Sequence, residues 1–253
     1  TTKGIAALIL AMAVEGLPGG YETPVAEVWP EFAAAGKEAV TIGEVASHQA
    51  GLPGFIDAID PALWLDPPAC AAALAQLTPM WPPGSAHGYH PLTWGYLVGE
   101  IVARITGRTL GTILREDITA PLGIDFRIGL PEAEHGRVAE ILRPKALADL
   151  GEITPARRAA FLTKWSAPDR GGAIWREIEI PSANGHGTAS AVATIYNAYA
   201  HVGLLGGKRL MRPGTFSALT SPRVDGPDLV LPMTTRFGAG IMHNNLKSFG
   251  PFD

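Results

Sequence analysis

One cysteine, Cys70, among 253 residues excludes a disulfide within the chain and leaves no thiolate cluster for a metal. It lies in the alanine-rich run Pro68 to Leu77, where a small buried hydrophobe is the expected role. Charge is equally scarce. Asp, Glu, Lys and Arg make up 17% of the chain and the net charge is −4, so no basic face is offered to nucleic acid or to an anionic membrane. The basic doublets Arg157-Arg158 and Lys208-Arg209 read as solvated surface. No apolar run approaches the ~20 residues needed to span a bilayer. Ile5 to Val14 falls well short of that length, and cutting after Ala11-Met12-Ala13 would leave too short an apolar core for a signal peptide. Internal repeats, low-complexity tracts and linkers are also missing. The expectation is one soluble domain over residues 1–253, cytoplasmic rather than secreted.

What is present is apolar, 47% of residues, and mostly helical in pattern. Ile5 to Val14 is apolar nearly all round, which predicts a central buried helix. Tyr21 to Trp29 reads as an extended surface segment. Thr41 caps a short helix through Glu44 to His48, stopped by Gly51-Leu52-Pro53-Gly54, and Pro68 to Leu77 forms another. A helix is expected from Pro91 to Ile105, ended by Thr106-Gly107, and a further one from Thr109 to Thr119. Residues 127–180 look irregular apart from a helix over Pro155 to Trp165. Thr188 caps an amphipathic helix to His201, and Pro213 to Leu219 is a short helix. Strand signals are few and late, at Arg209 to Met211 and Phe237 to Met242.

Three places carry chemistry. Lys3 opens the first helix, and a lysine one turn after a serine can reach that hydroxyl as its base. Such a serine would sit directly ahead of Thr1. Tyr89, in Gly88-Tyr89-His90-Pro91 before a helix, can project a phenol into a cleft to take or return a proton. Ser47-His48 cannot act as a catalytic pair, because neighbours on a helix point about 100° apart. His87 and His90 flank Tyr89 without a third ligand at metal spacing, so loop hydrogen bonding is their expected role, with His90 at the pocket mouth. His186 in Asn184-Gly185-His186-Gly187-Thr188 reads as structural, and Gly203 to Gly207 lacks the ending of a phosphate loop.

In order, Thr-Thr-Lys-Gly, Trp29-Pro30-Glu31-Phe32, Ser47 to Pro53, Tyr89-His90, Gly99-Glu100 with Arg104 and Gly107, and Pro121-Leu122-Gly123 resemble the serine β-lactamase-like and penicillin-binding-protein superfamily. The class C-like branch, with its family VIII carboxylesterases, is the nearest pattern. The resemblance implies an α+β fold, a helical region packed on an antiparallel sheet, with terminal strands and the nucleophile lying outside residues 1–253. It gives Lys3 the role of the Ser-x-x-K lysine and Tyr89 that of the second-motif tyrosine. It implies an acyl-serine intermediate, no cofactor and no metal, and a small ester or amide as substrate. Pro91 stands where class C β-lactamases carry asparagine, which favours a carboxylesterase on short acyl esters. The rivals are a β-lactamase or D-amino-acid peptidase of the same fold, and a non-catalytic binding or scaffold protein retaining it.

Overall fold

The computed structural model describes residues 1–140, 142, 149–165, 171–247 and 250. Its helices are α1 (Thr2–Val14), α2 (Val25–Val28), α3 (Ile42–Ala46), α4 (Pro67–Gln76), α5 (Thr93–Thr106), α6 (Leu110–Ile113), α7 (Pro155–Arg157), α8 (Ala173–Glu177), α9 (Ala189–Ala200) and α10 (Pro213–Thr220). Its strands are β1 (Phe126–Ile128), β2 (Gly185–Gly187), β3 (Leu204–Leu205), β4 (Lys208–Arg209), β5 (Val224–Pro227) and β6 (Thr234–Phe237).

Helix α1 is the axle. Every side chain from Ile5 to Ala11 is fully buried, as its all-round apolar sequence requires. Full burial of each Leu or Ile there contributes about 1.5–3 kcal/mol. Helices α5, α6 and α10 pack around it. Its C-terminal end is tied to α10 by Glu15, whose carboxylate accepts from the Arg212 N–H, the Arg212 side chain and the Thr215 hydroxyl. On α9, Tyr196 and Tyr199 donate to the carbonyls of Thr1 and Gly4. Cys70 is buried in α4, and burial pushes its thiol far up, so it behaves as the expected small hydrophobe.

Antiparallel pairing takes the form of three separate two-stranded ladders among the described residues: β1 with β2, β3 with β4, and β5 with β6. This is an α+β architecture in which helices dominate.

Several boundaries differ from the sequence reading. Tyr21 to Trp29 is not an extended surface segment but a tight turn at Gly20–Glu22 followed by α2, with Tyr21, Val25 and Trp29 buried. Those three residues lie four apart, a helical spacing. Helix α5 starts at Thr93 instead of Pro91, whose carbonyl turns away to bind Lys3. The segment from Pro155 is one α turn continued by a π-helical turn to Leu162. The rest of the irregular stretch 127–180 falls partly outside the described residues. Strand β6 ends where a strand was expected to begin: beyond Phe237 the chain turns through Gly238 to Gly240, and only Met242 returns to bridge Phe237. The edge expected at Arg209 to Met211 is shifted to Lys208–Arg209.

Candidate active site

Lys3, in the first turn of α1, is half-buried as a residue, and its ammonium group is desolvated by burial. Nζ donates to the carbonyls of Pro91 at 2.7 Å and Ser182 at 3.2 Å. It stands 4.7 Å from the centre of the Tyr89 ring and 5.9 Å from that of Trp94. Among the described residues no carboxylate pairs with it, and desolvation by burial brings its pKa down to about 7. A neutral amine has two N–H bonds and one lone pair. The two carbonyls occupy both donors and leave the lone pair as the remaining functional feature of the nitrogen.

Tyr89 is held by a cradle that begins at α3. The Thr41 hydroxyl accepts from the Glu44 N–H while the Glu44 carboxylate accepts from the Thr41 N–H, a reciprocal cap. At the other end of α3, His48 adopts a left-handed conformation (φ 68°), as does Gly51 (φ 73°), which doubles the chain back. His48 Nδ1 accepts from the His90 N–H at 3.1 Å, and the His48 carbonyl accepts from the Gly88 N–H. His90 closes the clasp. Its Nδ1–H donates to the Gly88 carbonyl, and its Nε2 accepts from the Leu52 N–H at 2.9 Å. Thr93 and Trp94 complete it by donating to the carbonyls of Leu52 and Ala46. Ser47 is spent on α3, donating to the Gly43 carbonyl.

His90 is therefore not at a pocket mouth. It is fully buried, and burial lowers its pKa to about 3, which keeps it the neutral bridge its two hydrogen bonds require. His48 is likewise buried and held neutral by desolvation. The segment Ser47 to Pro53 acts as the bracket of the Tyr89 loop.

Above this bracket the Tyr89 ring packs in a triangle with His48, 5.0 Å away between ring centres, and Phe237 of β6, parallel at 6.3 Å, while His48 and Phe237 meet edge to face at 4.6 Å. The Tyr89 N–H donates to Asp228 Oδ1 at 3.0 Å. The same oxygen accepts from the Val230 and Leu231 N–H groups, both at 2.8 Å, and Oδ2 accepts from the Thr235 hydroxyl. His87, read as loop bonding, contacts that hydroxyl at 2.9 Å. Burial raises the Tyr89 pKa, and the Asp228 charge raises it further. The pair is thus an amine that is neutral above about pH 7 beside a phenol that keeps its proton.

Asp228, Phe237 and Ser182 escaped the sequence reading. A lone Asp in a Gly-Pro-Asp turn carries no signal for a partner 139 positions away. His186, read as structural, pairs with Arg127 across β1 and β2.

A desolvated lysine at the head of a central apolar helix thus faces a tyrosine held by a bracketed loop. The chain belongs to the beta-lactamase family, whose model matches residues 1–250. It is 34% identical over 254 residues to "Esterase/beta-lactamase LipL" of Mycobacterium tuberculosis, covering 94% of this chain and 58% of that protein. A penicillin-binding protein homologue from Caulobacter crescentus superposes with a TM-score of 0.95 at 53% identity, covering 99% of this chain and 68% of that one. A family VIII carboxylesterase superposes with a TM-score of 0.88 at 35% identity, over 99% and 67%. Among the described residues no helix is long and apolar enough to cross a membrane.

Proposed function

We propose that this chain carries the proton-transfer pair of a serine hydrolase that works through an acyl-serine intermediate, acting as a carboxylesterase on short acyl esters. The observation that carries the reading is the Lys3 amine: pKa about 7, both donor positions occupied, and Tyr89 at its side.

The nucleophile in this reading is a serine directly ahead of Thr1, on the same helical face as Lys3. Its hydroxyl proton passes to the Lys3 lone pair as its oxygen bonds the ester carbonyl carbon. The tetrahedral adduct collapses as the carbon–alkoxy bond breaks, and Tyr89 gives its phenolic proton to the departing alcohol. The proton on Lys3 returns to Tyr89. In deacylation a water loses its proton through the same pair, attacks the acyl carbon, and the serine oxygen leaves with a proton. General acid–base help of this kind is worth roughly 10²–10⁴-fold.

Relatives named as an esterase/beta-lactamase and as a carboxylesterase support the ester reading, as does Pro91 two residues beyond Tyr89. The 53% identical penicillin-binding protein homologue favours a second reading, amide hydrolysis by a β-lactamase or D-amino-acid peptidase. The protein expressed from its complete reading frame separates them. Intact mass after a fluorophosphonate probe should show one adduct, on the serine ahead of Thr1. Hydrolysis of p-nitrophenyl butyrate should exceed that of nitrocefin and of D-alanyl-D-alanine peptides. Absence of any adduct sinks the acyl-serine reading, and preference for nitrocefin or the peptide sinks the esterase one.

A further inference from the structure

Asp228 is 5% exposed, and no salt bridge to it is formed among the described residues. Four donors converge on it instead: the N–H groups of Tyr89, Val230 and Leu231 on Oδ1, and the Thr235 hydroxyl on Oδ2. Three of these belong to its own hairpin. The fourth belongs to the residue that faces Lys3. The same hairpin is pinned from outside by Arg157, which donates to the carbonyls of Val230 and Leu231. The hairpin is therefore anchored without Tyr89, and the bond from Asp228 to the Tyr89 N–H transmits that anchorage to the loop.

We infer that Asp228 is a positioning residue for Tyr89, fixing through the backbone N–H of that residue the loop that holds the phenol beside Lys3. The inference rests on the acyl-transfer reading above and extends it to a carboxylate outside the reacting pair.

Charge as well as geometry reaches the phenol. The groups around Tyr89 are Lys3 from α1, His48 at the end of α3, His87 and His90 from its own loop, Asp228 from the hairpin, and uncharged Phe237 from β6. Burial holds His48 and His90 neutral, and Lys3 loses its charge above about pH 7. At the working pH of an amine base, the Asp228 carboxylate is thus the charge that opposes formation of a phenolate at Tyr89. It keeps the proton where the leaving alcohol needs it.

Asp228→Asn tests this in the complete protein. Asn keeps one oxygen to accept from the three N–H groups, so folding is preserved while the charge is removed. Rates of p-nitrophenyl butyrate hydrolysis are followed from pH 5 to 11, alongside fluorophosphonate labelling and thermal unfolding. The acidic limb, set by Lys3, should stay in place. The basic limb, set by loss of the Tyr89 proton, should move to lower pH in Asp228→Asn. In Asp228→Ala, which frees the Tyr89 N–H, kcat should fall at least tenfold with a smaller change in KM. Thr235→Val, which leaves the Asp228–Tyr89 bond intact, should shift neither limb. If Asp228→Ala retains the wild-type kcat, the positioning role of Asp228 is overturned although the enzyme is sound, and an Asn profile that superposes on that of the wild type overturns the action of its charge on the phenol. If the wild-type protein neither labels nor hydrolyses ester, the acyl-transfer reading falls and takes this inference with it.

Discussion

Lys3 Nζ stands 4.7 Å from the centre of the Tyr89 ring, with the carbonyls of Pro91 and Ser182 as its hydrogen-bond acceptors. Two residues 86 positions apart are thereby set so that one loses its proton easily and the other keeps it.

That lysine should leave a signature in stability. Its pKa falls from 10.5 unfolded to about 7 folded, so between those values the unfolded chain binds more protons. Stability therefore rises with pH across this window, and the desolvation cost is fully present below pH 7. Lys3→Met should remove the rise. Urea unfolding of wild type and variant at pH 6, 8 and 9.5 checks this: their difference in stability must shrink as pH increases. A constant difference would mean that Lys3 titrates normally.

Substitutions of the pair should separate chemistry from packing. Lys3→Arg keeps a cation but supplies no lone pair, since guanidinium stays protonated. Esterase activity should fall by about 10²–10⁴-fold at every pH tested. Tyr89→Phe retains the stacking on Phe237 and should lower kcat by about 10²-fold with KM little changed. Steady-state kinetics with p-nitrophenyl butyrate measures both.

The approach of α5 to the Ser182 loop depends on Gly95. A β-carbon there would lie 2.5 Å from the Ser182 backbone nitrogen and hydroxyl oxygen, which forces the loop outward. Gly95→Ala should cost about 1–3 kcal/mol as an overpacking substitution. It should also lower activity, because the Ser182 carbonyl is one of the two acceptors that orient Lys3. Chemical denaturation and a rate assay on the same sample test both effects; full activity in a destabilised variant would separate the loop from the site.

His48 pairs a left-handed backbone with a side chain that accepts from His90. His48→Gly relieves the backbone but leaves the buried His90 N–H unpaired, at a cost of about 1–3 kcal/mol. His48→Ala loses the same bond and keeps the strain. The alanine variant should therefore be less stable than the glycine variant by about 1 kcal/mol, as read from denaturation midpoints.

Local rules carried much of the helical layout. The Thr41–Glu44 cap, the Thr188 cap of α9, the Pro-led start of α4 and the Gly107 stop of α5 were legible, because each depends on residues within one turn. The buried helix α1 was legible from its unbroken apolar surface. The strands were not. Thr234 to Phe237 is a polar-looking run whose strand character comes from pairing with Val224 to Pro227, and pairing is not a property of either segment alone. The turn and helix around Tyr21 to Trp29 were misread as an extended surface segment, although Tyr21, Val25 and Trp29 repeat at a four-residue spacing and are buried.

The sequence by itself determined which chemistry was available: one free thiol, little charge, a lysine at the head of an apolar helix and a tyrosine ahead of another. Its motif order also determined the family. Tertiary structure decided what those groups became. Lys3 has a pKa near 7 only because Pro91, Ser182, Tyr89 and Trp94 enclose its amine. His90 is a buried bridge only because Leu52 and Gly88 arrive on its two nitrogens. Asp228 reaches Tyr89 only across the folded hairpin. Desolvation and hydrogen bonding depend on what lies within a few ångströms, and neighbours so distant in the chain exist only once it has folded.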